Sequence, residues 1–165
     1  MLVLIAISGC GGGGTESDVI TQVFANTTNR QIVRSAERVQ TCRLKPIDVS
    51  NQTASSLGVY EEGPFVQVTA ERADRFRAVL ENPRSYYFNV AKSCLPVYGV
   101  RVRFESKGET IDVDLCFECN LLSVNRDVAP VGGGNFDPAR PELVAICKEL
   151  FADDPEIQKL NPGRP

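Results

Sequence analysis

The chain has 165 residues, six cysteines and no histidine or tryptophan, and its 18 basic and 21 acidic residues give a net charge of −3. This length suits a single domain with a tail. The absence of histidine excludes His-containing catalytic triads and zinc sites, and the acidic balance argues against a nucleic-acid-binding protein.

The N-terminus has the pattern of an export signal followed by a tether. Residues 2–7 are uniformly apolar, and four glycines follow Cys10. A run this short cannot span a bilayer as a helix, which needs about 20 apolar residues. The sequence Ile7-Ser8-Gly9-Cys10 resembles the lipobox of bacterial lipoproteins, in which the cysteine thiol receives a diacylglyceryl group and the signal is cut before that cysteine.

The resemblance implies a signal peptide over residues 1–9 and a lipidated Cys10 that begins a flexible Gly-rich tether over 10–17. Such a protein is held at a bacterial membrane by two or three acyl chains, palmitate among them, because one chain anchors only weakly. Gly11 follows the cysteine, which favours the outer membrane in a Gram-negative cell. The apolar run is short for a signal peptide and no basic residue precedes it, so we expect the true start upstream of Met1.

The first half of the domain combines helical and extended segments. Apolar residues recur at three- and four-residue steps over 18–40, which predicts helical structure with an interruption at 26–29. Alternation of apolar and polar residues predicts a strand over 39–44. Turn-forming and polar residues predict a loop over 46–64, and a short extended piece at 65–68 follows it.

The second half contains the strongest local signal in the chain. A helix is predicted over 70–81. The apolar Tyr86-Tyr87-Phe88 that follows could line a pocket, but core packing is the commoner explanation and the one we adopt. Strict alternation over 100–105 and 111–118, with a turn between, predicts an antiparallel hairpin. We expect a third strand over 121–125.

The chain is expected to end in helices. Residues 131–135 are glycine-rich and predict a loop. Asp137, as N-cap, and Pro138 predict the start of the last long helix, and a short helix through Leu160 follows. The predicted fold is one α+β domain over 18–165, a small antiparallel meander of three to four strands with helices packed on one face.

Charged residues lie on the solvent face of the predicted hairpin, with Arg101 and Arg103 opposite Asp112 and Asp114. The two aspartates and Glu118 form an acidic set along one strand, and grouped carboxylates can bind metals or transfer protons. The facing arginines make a solvated, structural face the simpler interpretation. We assign no catalytic, cofactor-binding or metal-binding residue here.

Five cysteines remain after Cys10, and an exported chain can pair them in disulfides. Cys116 and Cys119 form a C-x-x-C, which can indicate a thiol-redox motif or, with Cys94 and either Cys42 or Cys147, a metal site. A strand position without a helix N-terminus disfavours the redox interpretation, and a single knuckle disfavours the metal one. We expect a bridge from Cys94 to either Cys116 or Cys119, and Cys147 as a core residue.

The run Leu-Cys-Phe-Glu-Cys at 115–119 resembles uncharacterised bacterial proteins and adds nothing about activity. The sequence therefore predicts a lipid-anchored cell-envelope protein that contacts the membrane through its anchor, needs no cofactor and carries a non-enzymatic binding or structural domain. The alternative is a thiol-redox or Cys-ligated metal protein that uses Cys94, Cys116 and Cys119. Disulfide pairing and the binding partner stay open.

Overall fold

The computed structural model describes residues 16–46 and 60–163. The predicted signal peptide, Cys10 and most of the tether lie outside the described residues, as does most of the predicted loop, at 47–59. The described helices are α1 (Glu16–Val23), α2 (Thr27–Arg34), α3 (Ala70–Leu80), α4 (Arg140–Leu150) and α5 (Pro155–Gln158). The strands are β1 (Arg38–Pro46), β2 (Tyr60–Glu62), β3 (Val66–Gln67), β4 (Val100–Ser106), β5 (Glu109–Cys116), β6 (Leu121–Arg126) and β7 (Ala129–Asn135).

The strands form one antiparallel sheet in the order β2-β1-β4-β5-β6-β7, and β3 pairs with β1 along the same edge as β2. The α+β class and the meander of β4, β5 and β6 are confirmed. The predicted size of three to four strands is wrong, because the sheet is six strands wide. β1 matches the strand predicted over 39–44 and pairs with β4. The extra width comes from β2 and β7 at the two edges, which lie in segments predicted as loops.

The core lies between one face of the sheet and the helices. Alternate residues of β4 and β5, such as Val102, Phe104 and Val113, point to this side and are buried with Phe24 of the α1 end and Leu143 of α4. The opposite face, which we call the polar face, carries the charged side chains of the hairpin, among them Arg101, Arg103, Asp112 and Asp114. Alternation along the hairpin therefore sorts its residues onto the two faces as the period of a strand requires.

The predicted interruption near residues 26–29 is a real boundary between two helices. α1 ends at Val23, and Asn26 caps α2 by accepting a hydrogen bond from the Asn29 backbone N–H at 2.9 Å. Such Asn caps satisfy one of the orphan N–H groups at a helix start. The two short helices can therefore turn against different strands, α1 against β7 and α2 against β4 and β5.

The glycine-rich segment 131–135 is strand rather than loop, and this prediction was wrong. Its glycines let other parts of the chain pack against the strand. A Cβ at Gly132 would lie 2.2 Å from the Val23 carbonyl oxygen, and a Cβ at Gly134 would lie 2.9 Å from the Tyr86 ring. The missing side chains of these glycines allow α1 and Tyr86 to pack closely on the edge strand. Glycine in this role does not mark a turn.

We expect Gly132→Ala to lower the free energy of unfolding by about 3 kcal/mol, since the added methyl group meets backbone atoms of α1 that cannot move alone. Gly63→Ala is the matched control, because a Cβ there lies 3.4 Å from its nearest neighbour, an ordinary contact. Urea unfolding of both variants measures the difference. Equal stability of the two variants would contradict the close packing of α1 on β7.

Candidate functional site

Five charged side chains form a cluster on the polar face, and we call it the charged cluster: Glu62, Arg101, Arg103, Asp112 and Asp114. Arg101 and Asp114 form a bidentate ion pair with guanidinium N to carboxylate O distances of 2.7 and 2.8 Å. Arg103 and Asp112 form a second bidentate pair, in which both distances are 2.8 Å. Each pair joins directly opposed residues of β4 and β5, as the hairpin pattern predicts. Glu62 of β2 also bonds Arg101 and lies 3.7 Å from Arg103.

The charged cluster is not the solvated face that the sequence favours. The Asp114 side chain is 6% exposed and that of Arg101 is 14% exposed. Residues outside the hairpin cover this face. The Phe65 ring, in the predicted extended piece, lies 4.2 Å from the Arg103 guanidinium, and Tyr98, in a stretch without a predicted element, lies against Ser123. The arginines and aspartates are therefore partly buried.

The predicted acidic set does not stay together. Glu118 lies exposed in the turn between β5 and β6, while Asp112 and Asp114 face the arginines on β5. Strand alternation ends at Cys116, so the carboxylate of Glu118 belongs to a different surface.

The Asp114 carboxylate accepts three hydrogen bonds, two from Arg101 and one from Asn125. Asn125 donates to it at 2.9 Å, and Ser123 donates in turn to Asn125 at 3.1 Å. Burial raises the pKa of Asp114, and the hydrogen bonds and charge of Arg101 oppose that rise. A carboxylate held between a bidentate arginine and an amide is suited to fixing strand register, not to exchanging protons with a substrate.

The structure joins Cys94 to Cys119 in a disulfide with a Cα–Cα distance of 6.1 Å, one of the two bridges that the sequence leaves open. The bond fastens the segment before β4 to the turn after β5. Cys116 is a buried free thiol, so the C-x-x-C is not a dithiol pair. In the described part of the chain, no group of three or more His, Cys, Asp or Glu side chains is placed to hold a metal ion.

The other described thiols are buried as well. Burial raises the pKa of Cys42 to about 11 and that of Cys147 to about 12. Cys147 lies in the core on α4, as the sequence predicts. Thiols with such pKa values stay protonated at neutral pH and are poor nucleophiles.

Asp137 does not cap α4 as the sequence predicts. It begins a 3₁₀ turn over Asp137–Ala139, and α4 begins at Arg140. Its carboxylate instead accepts hydrogen bonds from Lys92 and Asn120, both at 2.6 Å. Burial opposes ionisation, but these bonds hold the pKa of Asp137 below its usual value. Besides the disulfide, Lys92 is therefore a second point at which the segment that carries Cys94 is attached to the rest of the domain.

That segment, residues 87–97, is apolar and largely exposed, and we call it the apolar segment. Tyr87, Phe88, Val90, Leu95 and Val97 are each between 41 and 74% exposed. The core interpretation of Tyr86-Tyr87-Phe88 holds for Tyr86, whose hydroxyl donates to the Leu80 carbonyl at 3.0 Å in the interior. It was wrong for the two aromatic residues that follow.

Comparisons with known proteins identify no relative of this chain. No family model, no curated protein and no solved structure matches the chain. None of the helices in the described ranges is long and apolar enough to cross a membrane. The function proposed for the chain therefore rests on its own residues and contacts.

Proposed function

We propose that the chain is a lipid-anchored protein of the bacterial cell envelope whose α+β domain is a non-enzymatic binding or structural domain. The observation that carries the proposal is the Cys94–Cys119 disulfide. Disulfides persist in oxidising compartments such as the periplasm and the cell surface. The lipobox pattern at Ile7-Ser8-Gly9-Cys10 is a signal that leads to such a compartment and provides the anchor.

The contacts on the polar face support a binding or structural role over catalysis. The aspartates of the charged cluster each pair with an arginine, and Asp114 also accepts from Asn125. General acids and bases need a proton that reaches substrate, whereas these groups are committed to one another. The cluster therefore serves as a rigid support for the segments that cover it.

The cysteine arrangement favours the same role over the thiol-redox or metal alternative. That alternative depends on Cys94, Cys116 and Cys119, but two of them are joined and the third is fully buried. A disulfide that closes a loop between a surface segment and a turn has a direct structural use, because it restricts the unfolded chain.

Replacing Cys10 tests the anchor. In the source cell supplied with labelled palmitate, we expect the parent to take up the label and to fractionate with membranes. Cys10→Ser should lose the label and retain residues 1–9, because no thiol remains to be modified. Cys147→Ala is the matched control, since it removes a cysteine of the core and leaves the N-terminus intact. Equal labelling of the parent and Cys10→Ser would overturn the proposal.

A further inference from the structure

The apolar segment concentrates the exposed hydrophobic residues of the domain. Five of the eight large hydrophobic residues that are exposed in the described ranges lie within residues 87–97. Single exposed hydrophobic residues are normal on a protein surface, but a contiguous group marks a surface that contacts something apolar.

Three contacts attach the apolar segment to the rest of the domain. The Tyr87 backbone N–H donates to the Asn135 carbonyl of β7 at 3.0 Å. Lys92 donates to the Cys119 carbonyl at 2.6 Å, and the disulfide joins Cys94 to the same residue. Phe88 and Val90 lie between these three contacts, and Leu95 and Val97 directly follow the disulfide, so the backbone that presents these side chains outward is attached to the domain.

The apolar segment begins near α1, the helix that follows the proposed tether. The described domain begins with α1 at Glu16, six residues after Cys10, and six extended residues span at most about 20 Å. α1 packs on β7 and on the 3₁₀ turn Pro83–Ser85, which is separated from the apolar segment only by Tyr86. A lipid at Cys10 therefore brings a membrane surface close to the side of the domain that carries Phe88.

The chemistry of the segment suits a lipid–water boundary. Tyrosine and phenylalanine beside aliphatic residues form the combination that settles at membrane interfaces. The sequence from 82 to 104 contains no Asp or Glu although the chain as a whole is acidic, and it carries the exposed Arg84. Lys92 is paired with Asp137, so Arg84 is the basic residue that this surface offers to solvent, and such a residue next to an apolar surface is attracted to anionic headgroups.

We infer that the apolar segment inserts into the surface of the membrane that holds the anchor, so that the domain lies on the bilayer in one orientation. The inference rests on the proposed lipid anchor. The anchor supplies stable attachment, and the apolar segment supplies orientation by burying Phe88, Leu95 and Val97 among headgroups and upper acyl chains.

Tryptophan fluorescence tests this contact, because the chain has no tryptophan of its own. The full processed protein, carrying Phe88→Trp or Leu95→Trp, is reconstituted into phosphatidylethanolamine–phosphatidylglycerol vesicles that contain nitroxide-labelled lipids. The matched control is Val128→Trp, at a residue that is 97% exposed in the β6–β7 turn. It lies at the end of β7 away from Asn135, roughly 20 Å along the strand.

We expect the lipid nitroxides to quench the tryptophan fluorescence of Phe88→Trp and Leu95→Trp and to leave the fluorescence of Val128→Trp unquenched. Equal quenching at all three positions, or none, in protein that floats with the vesicles would overturn the inference and leave the anchor standing. Failure to float would count against the proposed function itself. A tryptophan shielded from an aqueous quencher in native membranes but unquenched in pure lipid would indicate a protein partner and overturn the inference.

Discussion

Arg101→Met should lower the free energy of unfolding by about 3–5 kcal/mol, because it leaves the buried Asp114 carboxylate without its cationic partner. The same change also removes a partner of Glu62. The matched control is Arg38→Met, which breaks an arginine–carboxylate pair with Glu105 on the same face, where the arginine is 53% exposed. Exposed pairs of this kind contribute at most about 1 kcal/mol. Urea unfolding of the two variants against the parent measures both effects.

The pH dependence of Arg101→Met gives a second measure of the same contact. Burial raises the pKa of Asp114 above 3.8, and Arg101 limits the rise, so the pKa should climb further in the variant. Between the pKa of Asp114 in the unfolded chain and its higher pKa in the folded variant, the folded variant binds more protons than the unfolded chain. The free energy of unfolding of the variant therefore falls as the pH rises across that interval. The difference from the parent should therefore shrink as the pH is lowered from neutral. A difference that is unchanged down to the unfolded pKa would contradict burial of the carboxylate.

Removal of the disulfide by Cys94→Ser with Cys119→Ser should cost about 3.5 kcal/mol, because the bond closes a loop between residues 25 positions apart and restricts the unfolded chain. A reductant should lower the stability of the parent to that of the double variant and leave the variant unchanged. Unfolding curves with and without reductant make the comparison. A parent that does not respond to reductant would contradict the bridge.

The hairpin and the helices could be predicted because their signals are local. Val100, Val102 and Phe104 alternate with charged residues, and strand geometry then places Arg101 opposite Asp114 without knowledge of the rest of the fold. Burial of that pair could not be predicted. It depends on Tyr98, which lies near Asp114 and Ser123 in a stretch without periodicity, just as Phe65 covers the neighbouring Arg103. Both aromatic residues reach the polar face only through tertiary packing.

The edge strand and the apolar segment show two further limits of local patterns. In β7 the glycines resemble a loop, because their role depends on Val23, about a hundred residues earlier in the chain. In the apolar segment, hydrophobicity alone does not distinguish a buried residue such as Tyr86 from an exposed one such as Phe88. The partner of Cys94 also depends on distances that spacing does not provide, so the sequence left two bridges open.

The intact mass of the protein extracted from its membranes tests the proposed anchor most directly. We expect the mass of a chain that begins at Cys10, increased by a diacylglyceryl group and, in the usual form, a third acyl group on the new amine. Digestion should then place the added mass on the peptide that contains Cys10. An unmodified mass that still includes residues 1–9 would contradict a lipid anchor at Cys10.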